Sequence, residues 1–372
     1  MNVPAWISQK AHHRGAMRET GRRLDALCTG RSSAGLQYLA LRGDEVLLEH
    51  CAGVADACTG RPVTPATTFN AYSITKPFTA AAVLALADAG SLDLDSPIDA
   101  AAGIDGLAAY GTVRDALLHR AGFPNPIPLR WFHAQERHAA FDEASFVRER
   151  LAALPRPGRR AGASTAYSNI GYLALGRAIE RATGLACARA IESLVLAPLA
   201  LRAAESLRFS IADPDQHARG HLRRLSLLNL LLGLLVERRK IVDGSRNGWV
   251  RLGLHHVDGS AYGGLMANAR GLARFGRAVL GTSPGLAAGV RDAMLRVVPG
   301  PGPRRSLAWF AGTLASREWF AHAGGGIGGY GELRVYPQLG AASVLLMNRP
   351  GLRDARLLDR LDRPWVETCT GR

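Results

Sequence analysis

The chain has 372 residues, of which 47% are hydrophobic and 21% are charged, values that are typical of globular proteins and exclude bulk disorder. A chain of this length can bury a large core without disulfides or a structural metal. The formal net charge is +15, but the Arg clusters are dispersed, only 6% of the residues are aromatic, and no nucleic-acid-binding motif is present, so a nucleic acid is not an expected partner.

Residues 1–30 are predicted to form a basic N-terminal arm or helix. They contain no apolar stretch of the kind found in secretory signals and no small-residue cleavage site, so the sequence predicts a cytoplasmic protein. The longest strongly apolar run in the chain, residues 225–236, is too short to span a bilayer as a helix.

The following elements are predicted in chain order from hydrophobic periodicity and from Gly and Pro stops. Two strands joined by a turn at Gly43 are predicted over residues 36–50. Helices are predicted over 73–89, 112–119, 143–154, 169–182, 185–196, 270–280 and 286–295. Strands are predicted over 306–315, 318–323, 331–336 and 342–348, and a closing helix over 352–361. Strands at both ends of the chain predict one sheet, with a helical middle inserted into it.

This order predicts two structural regions after the N-terminal arm. Residues 31–98 and 255–372 would form an α/β sandwich subdomain, and residues 99–254 a helical subdomain. The helical subdomain includes residues 222–240, a segment that is apolar on nearly every face and has basic ends. Such a helix is most simply a buried one, and a lid or acyl-chain pocket is the functional alternative. Contact of residues 225–236 with a membrane interface is not favoured, because the segment lacks a polar face.

The sequence Ser73-Ile74-Thr75-Lys76 is the only S-x-x-K in the chain, and it lies where a loop becomes a helix. Residues three apart share one face of a helix, so Lys76 is predicted beside Ser73. The free amides and the dipole at a helix start favour an oxyanion formed at Ser73. An N-cap Ser with a solvated Lys is the alternative interpretation.

Two further motifs place polar side chains at the end of a predicted helix or strand. Tyr167 and Asn169 lie two apart at the entrance of a predicted helix, where both can project into one cleft; a surface Tyr beside a capping Asn is the alternative. The sequence His322-Ala323-Gly324-Gly325 ends a predicted strand before a glycine-rich turn, where Gly lets a substrate approach the backbone closely. A hairpin with a bystander His is the alternative.

In this order the three motifs resemble those of the serine β-lactamase and penicillin-binding-protein superfamily, in particular its class C-like, esterase and D-aminopeptidase branch. The resemblance runs from about residue 35 to about residue 350 and includes the flanks FNAYSITKPFTAAAVLALADAGSLDLDSPI and AYSNIGYLALGRAIERATG. It implies an α+β fold of the β-lactamase/transpeptidase type, with an antiparallel sheet flanked by helices (an α/β/α sandwich) and an inserted all-helical subdomain.

The resemblance also implies a catalytic machinery. Ser73 would be the nucleophile that forms an acyl-enzyme, with Lys76 beside Ser73 and Tyr167. Either Tyr167 or Lys76 would take the Ser73 proton. For Tyr167 to do so at pH 7, its pKa would have to fall by about three units, in a field supplied by Lys76 and by His322.

The substrate-binding groups implied by the resemblance are Asn169, His322 and Gly324. Asn169 would bind both the substrate and Lys76. The backbone amides of Ser73 and Gly325 would form the oxyanion hole. No metal and no organic cofactor is needed, and the expected partner is a small-molecule ester or amide.

The third motif departs from the Lys-Thr-Gly or Lys-Ser-Gly of many β-lactamases and transpeptidases. His322 is a mostly neutral side chain at pH 7, and Ala323 has no hydroxyl that could bind a carboxylate. Both changes favour neutral esters or amides over carboxylate-bearing β-lactams, although the Arg-rich surroundings offer a replacement cation. The sequence therefore predicts a serine hydrolase, most simply a carboxylesterase on small or medium acyl esters.

Two alternatives remain open at this stage. A D-amino-acid peptidase or amidase, or a weak β-lactamase, would use the same machinery. A non-catalytic binding protein on the same fold is the second alternative, although all three motifs are intact. The remaining histidines predict no metal site, since His217 and His221 lack the H-E-x-x-H pattern and His255-His256 has no partner at ligand spacing.

Overall fold

The computed structural model describes residues 5–28, 34–106, 108–126, 131–155, 161–162, 165–226, 229, 242–307, 309–351 and 357–369. Its helices are α1 (Ala5–Leu27), α2 (Thr75–Asp88), α3 (Ile98–Ala102), α4 (Val113–Leu117), α5 (Glu143–Ala152), α6 (Asn169–Thr183), α7 (Cys187–Ile191), α8 (Ala269–Val279), α9 (Ala288–Leu295) and α10 (Leu357–Thr368). Short 3₁₀ turns lie at Tyr72–Ile74, Ala108–Tyr110, Gln135–Ala140, Ala197–Leu199 and Pro337–Leu339, and a π-helical turn at Glu192–Leu196.

The strands are β1 (Leu36–Arg42), β2 (Glu45–Ala52), β3 (Val54–Asp56), β4 (Arg61–Pro62), β5 (Phe69–Asn70), β6 (Phe132–Ala134), β7 (Leu207–Arg208), β8 (His221–Arg223), β9 (Val242–Arg246), β10 (Trp249–Leu252), β11 (His255–Val257), β12 (Met266–Ala267), β13 (Phe310–Leu314), β14 (Arg317–Gly326), β15 (Gly329–Tyr336) and β16 (Ala341–Met347). The largest sheet has the order β13-β14-β15-β16-β1-β2, and every neighbouring pair is antiparallel. Its middle joins the two ends of the chain, because Leu36 at the start of β1 pairs with Met347 at the end of β16.

Helices cover both faces of this sheet, and the alternation of side chains along its strands separates two cores. Leu39 and Leu41 of β1 belong to the larger core, which also contains α2, α6 and α8. Tyr38 and Ala40 point the other way, into a smaller core with α1 and α10. Strands β15 and β16 are buried along their whole length, as expected for strands that are covered on both faces. The predicted α+β class and the sheet built from both chain ends are confirmed.

The N-terminal helix belongs to this smaller core. Leu24 of α1 is completely buried, and Thr20 donates a hydrogen bond of 2.9 Å from its hydroxyl to the carbonyl oxygen of Leu361. On the far side of the same core, Asp362 accepts hydrogen bonds from the hydroxyls of Tyr38 and Tyr336, each at 2.7 Å. Residues 14–28 therefore form a packed part of the sandwich.

The middle of the chain is not entirely helical, contrary to the prediction. Strands β8, β9 and β10 form a small antiparallel sheet, and β6 pairs with β11. These strands have three to five residues, which is too short for alternation to stand out against loop sequence. The predicted region boundaries at residues 98 and 254 stay a prediction.

The apolar segment at residues 222–240 lies largely outside the described residues, which stop at 226, include 229 and resume at 242. At its start, Leu222 belongs to β8 and is buried rather than helical. Across the described residues no single helix is long and apolar enough to cross a membrane; α6 passes such a test only together with the segment that follows it, Cys187–Leu199, and the two are bent by 72°.

Candidate active site

Helix α2 holds the S-x-x-K motif and is a central helix of the larger core. Eleven of its 14 residues are buried, so its Ala- and Leu-rich sequence packs on all sides. Two threonines attach its first turns to the segment before β12. The Thr79 hydroxyl donates to the carbonyl oxygen of Ala261 at 2.6 Å, and the Thr75 hydroxyl accepts from the Leu265 amide at 3.1 Å. The start of the helix is thereby fixed.

The residue before the nucleophile candidate has an unusual backbone. Tyr72 lies in the left-handed region, with a φ of 48°, and leads into the 3₁₀ turn that carries Ser73. Its hydroxyl donates to the carbonyl oxygen of Ile327 at 2.7 Å. A Cβ at Gly326 would overlap the Tyr72 ring, and one at Gly329 would lie 2.7 Å from it. The glycine-rich turn thus makes room for this ring.

Lys76 is completely buried, and its Nζ has three oxygen neighbours. It lies 3.0 Å from Ser73 Oγ, 2.8 Å from Asn169 Oδ1 and 3.0 Å from the carbonyl oxygen of Tyr262. The last two oxygens can only accept hydrogen bonds, whereas a hydroxyl can also donate. Burial holds the pKa of Lys76 well below its usual range. A neutral amine satisfies all three neighbours, with two N–H donors and a lone pair facing the Ser73 hydroxyl.

Tyr167 lies against Lys76 and Ser73. The Lys76 Nζ is 4.8 Å from the centre of its ring. Burial raises the pKa of Tyr167, and a hydrogen bond with Ser73 opposes this rise without reversing it. Tyr167 could act as the base at pH 7 only if its pKa were lowered in the field of Lys76 and His322, and this condition is not met here. The enclosed site favours the neutral forms of both Tyr167 and Lys76.

His119 is a site residue that sequence analysis missed. Its Nδ1 accepts a hydrogen bond from the Ser168 amide at 3.2 Å, and its carbonyl oxygen accepts from the Ala166 amide at 2.9 Å. Its ring centre is 4.4 Å from that of Tyr167. The two hydrogen bonds fix the backbone on either side of Tyr167. No local pattern pointed to His119, because it lies 48 residues earlier in the chain.

Asn169 is the first residue of α6 and is buried. The Ser168 side chain caps the helix by accepting a hydrogen bond from the Gly171 amide at 3.1 Å, so Asn169 itself does not act as the cap. The side-chain oxygen of Asn169 accepts a hydrogen bond from Lys76, so the side-chain nitrogen of Asn169 remains available as a donor. Asn169 lines the same cleft as Ser73.

The His322 motif lies on β14, next to the start of α2. A Cβ at Gly324 would overlap the carbonyl oxygen of Ala71 and lie 3.0 Å from the Ser73 amide, so only Gly allows this contact. Gly325 lines the cleft together with Ser73. His322 is buried, and its Nδ1 donates to the carbonyl oxygen of Ala323 at 2.8 Å. Burial lowers the pKa of His322 to about 3, so this side chain is neutral at pH 7.

The cleft above Ser73 has mainly aromatic and aliphatic walls. They are formed by Trp131 and Phe132 from the β6 region, Val257 from β11, and Ile327 from the turn after β14. Neither a carboxylate nor a basic Lys or Arg side chain is among the described residues that line the cleft. Sequence analysis did not find these walls, because it predicted no strand or helix between residues 119 and 143.

The family model for the β-lactamase family matches residues 20–364 of the chain. The chain belongs to the β-lactamase family. Among curated relatives of this family, Esterase EstB from Burkholderia gladioli is 31% identical over 211 residues, which is 50% of either chain. Penicillin-binding protein 4* from Bacillus subtilis (strain 168) is 28% identical over 192 residues, covering 50% of this chain and 41% of the relative. The chain spans about half the length of the curated relatives it matches.

A solved structure extends the similarity to nearly the whole β-lactamase-like chain. D-amino acid amidase from Ochrobactrum anthropi SV3, complexed with D-phenylalanine, superposes with a TM-score of 0.70 at 18% identity. The match covers 97% of this chain and 98% of the amidase. This likeness shows the fold and confirms the β-lactamase/transpeptidase type expected from the motifs. The family is one of serine hydrolases, and the curated relatives of this chain include an esterase and a penicillin-binding protein.

Proposed function

We propose that the protein is a carboxylesterase that hydrolyses neutral esters through an acyl-enzyme on Ser73. The observation that carries the proposal is the environment of Lys76. Lys76 Nζ has two neighbours that can only accept hydrogen bonds, Asn169 Oδ1 and the Tyr262 carbonyl, and burial lowers its pKa. In its neutral form the amine donates to these two oxygens, and its lone pair faces the Ser73 hydroxyl at 3.0 Å. A nucleophilic Ser with an adjacent base is the minimum that acyl transfer requires.

In the proposed reaction Lys76 Nζ takes the proton as Ser73 Oγ attacks the ester carbonyl. The backbone amides of Ser73 and Gly325 receive the developing oxyanion. Tyr167, hydrogen-bonded to Ser73, gives its proton to the leaving alkoxide and regains one from the Lys76 ammonium, so that both groups return to their starting forms. Water then releases the acyl group by the same path in reverse. Asn169 keeps Lys76 in place through its oxygen and offers its nitrogen to the substrate.

The charge of the site supports a neutral substrate. His322 occupies the place of the third-motif cation and is neutral at pH 7. The two nearby arginines are already engaged with carbonyl oxygens. Arg305 donates to Leu118 at 2.8 Å, and Arg120 donates to Pro299 at 2.9 Å. Among the described residues of the site, a substrate carboxylate would gain no cation in return for its lost hydration, which costs about 3 kcal/mol or more for an unpaired buried charge.

An amidase for D-amino acids is the second candidate, and the shared fold with D-amino acid amidase supports it. The ammonium group of such a substrate needs a carboxylate or several carbonyl partners. The described lining of the cleft offers Trp131, Phe132 and Val257 instead, which favours an apolar acyl or alcohol group. A non-catalytic binding role requires that Ser73 be unreactive, and a Ser 3.0 Å from a buried amine whose pKa is lowered does not favour this.

A fluorophosphonate probe with intact-mass readout tests the proposal. We expect the native protein to gain one probe mass, localised to Ser73 by peptide mapping, and to hydrolyse p-nitrophenyl butyrate. Ser73→Ala should gain no probe and have no turnover above buffer. Ser96, which lies in an exposed turn, provides the matched control: Ser96→Ala should label and turn over as the native protein does. An unlabelled but folded native protein would overturn the proposal in favour of the binding role.

A further inference from the structure

Three histidines meet on the reverse side of the cleft wall. In the ladder between β6 and β11, His133 pairs with His256, and Phe132 pairs with Val257. Phe132 and Val257 line the Ser73 cleft, so His133 and His256 point to the opposite face. His138, in the 3₁₀ turn that follows β6, joins them there. One ring nitrogen from each of the three histidines lies within 4.8 Å of the other two.

Two of these rings already have their tautomer fixed by an acceptor outside the cluster. His133 Nδ1 donates to the Asp258 carboxylate at 2.7 Å, which leaves Nε2 with a lone pair. His256 Nε2 donates to Gln135 Oε1 at 2.5 Å, which leaves Nδ1 with a lone pair. Metal-binding histidines almost always donate their second ring N–H to a carboxylate or a carbonyl in this way.

We propose that His133, His138 and His256 form a binding site for a zinc-type divalent ion, with Asp258 and Gln135 orienting two of the ligands. Imidazole nitrogen is a preferred ligand of Zn²⁺, and three histidines leave a fourth position for water. The site is separate from the Ser73 machinery, because it lies on the other face of the β6–β11 ladder. The ion would join residues 133–138 to residues 256–258 and so stiffen one wall of the cleft.

The present hydrogen bond between His133 Nε2 and His138 Nδ1, at 3.0 Å, shows where the ion would enter. Only one proton can lie between these two nitrogens, and the ion would replace it. The His138 ring is stacked on that of His256, with centres 3.6 Å apart and planes within 7° of parallel. Ligation by all three rings requires His138 to turn out of this stack. His138 is only half-buried and lies on a short turn, which makes it the ligand that adjusts.

Titration of the metal-free full-length protein with Zn²⁺ against a chromophoric chelator tests this site. We expect one equivalent to bind, and His138→Ala and Gln135→Leu to weaken binding by about tenfold or more. His50→Ala is the matched control, since His50 also contacts an aspartate, Asp25 at 2.9 Å, but has no histidine neighbours in the described structure. It should bind as the native protein does.

Cobalt substitution gives a readout that needs no variant. A site with three nitrogen ligands and water should give the native protein the visible absorption of four-coordinate Co²⁺, and equimolar Zn²⁺ should abolish it. Bound Zn²⁺ should also raise the melting temperature. Absence of stoichiometric binding by the native protein, or binding that is unchanged in His138→Ala, would overturn the proposal and leave the cluster as a stack of rings that holds the two strands together.

Discussion

Lys76 is the residue on which the proposed chemistry depends, because its lone pair accepts the Ser73 proton. Lys76→Arg keeps a long nitrogen-bearing side chain, but the guanidinium group is a permanent cation that cannot accept a proton. We expect kcat/KM for p-nitrophenyl butyrate to fall by about 10²–10⁴-fold in this variant, as is typical when a general base is lost. Steady-state kinetics measures the loss, and circular dichroism verifies folding. A variant that remains folded and keeps more than a tenth of the native activity would argue against Lys76 as the base.

The pH profile separates Lys76 from Tyr167. Lys76 accepts a proton only in its neutral form, so kcat/KM should rise with pH through the lowered pKa of Lys76 and then stay level. Because burial raises the pKa of Tyr167, no fall from its ionisation is expected below about pH 10. Tyr167→Phe should lower kcat but keep the same rising limb. Loss of that limb in Tyr167→Phe would instead identify the phenolate as the base.

At this scale the sequence identified most of the groups around Ser73 but not their protonation states. Lys76, Asn169 and Gly325 follow from motifs, since each lies within a short run of characteristic residues. Their contact with one another could not be derived, because 93 residues separate Lys76 from Asn169. Burial decides the pKa values of Lys76 and Tyr167, and burial is a property of the folded site rather than of a motif.

The glycine-rich turn between β14 and β15 holds Tyr72, and through it the start of α2. Gly326→Ala would place a methyl group inside the Tyr72 ring. We expect a loss of about 1–3 kcal/mol in the free energy of unfolding, as for other overpacked sites. Urea unfolding measures it. Gly325→Ala is the matched control for stability alone, since its Cβ would meet only Tyr330, at 3.9 Å. Equal effects of the two substitutions would contradict this explanation of the turn.

Element prediction succeeded where periodicity was long. The helix predicted over 169–182 is α6, and the strands predicted over 331–336 and 342–348 are the centres of β15 and β16. It failed for β6 and β11, which have three residues each and are stabilised by pairing with a distant strand. The histidine cluster was missed for the same reason: His133 and His256 become neighbours only through that pairing.

The whole molecule is closed by α1 and α10, which cover one face of the sheet. Leu24→Ala would remove a completely buried side chain from this layer, and we expect a loss of about 2–5 kcal/mol in the free energy of unfolding. Denaturant unfolding measures it, and Leu185→Ala, at a half-exposed position, is the control with little expected effect. A near-zero change for Leu24→Ala would mean that α1 is not part of the cooperative unit.

At the scale of the whole chain, the sequence predicted a sheet built from both ends, because strand patterns at residues 36–50 and 306–348 flank a helical middle. It did not predict that the N-terminal helix packs into the sandwich, since the hydrogen-bond partner of Thr20, Leu361, lies 341 residues away in the chain. Most residues of α1 are polar or basic, so the sequence did not reveal the few positions of this helix that are buried.

The central claim is that Ser73 hydrolyses neutral esters in a cleft whose described lining residues offer no cation for a carboxylate. The most direct test compares p-nitrophenyl hexanoate with mono-p-nitrophenyl adipate, which has the same number of methylenes but ends in a carboxylate. With Ser73→Ala as the blank, kcat/KM should be at least about tenfold higher for the hexanoate, because the adipate buries an unpaired charge. Equal or faster turnover of the adipate would contradict the assignment of His322 as a neutral group and the preference for neutral esters.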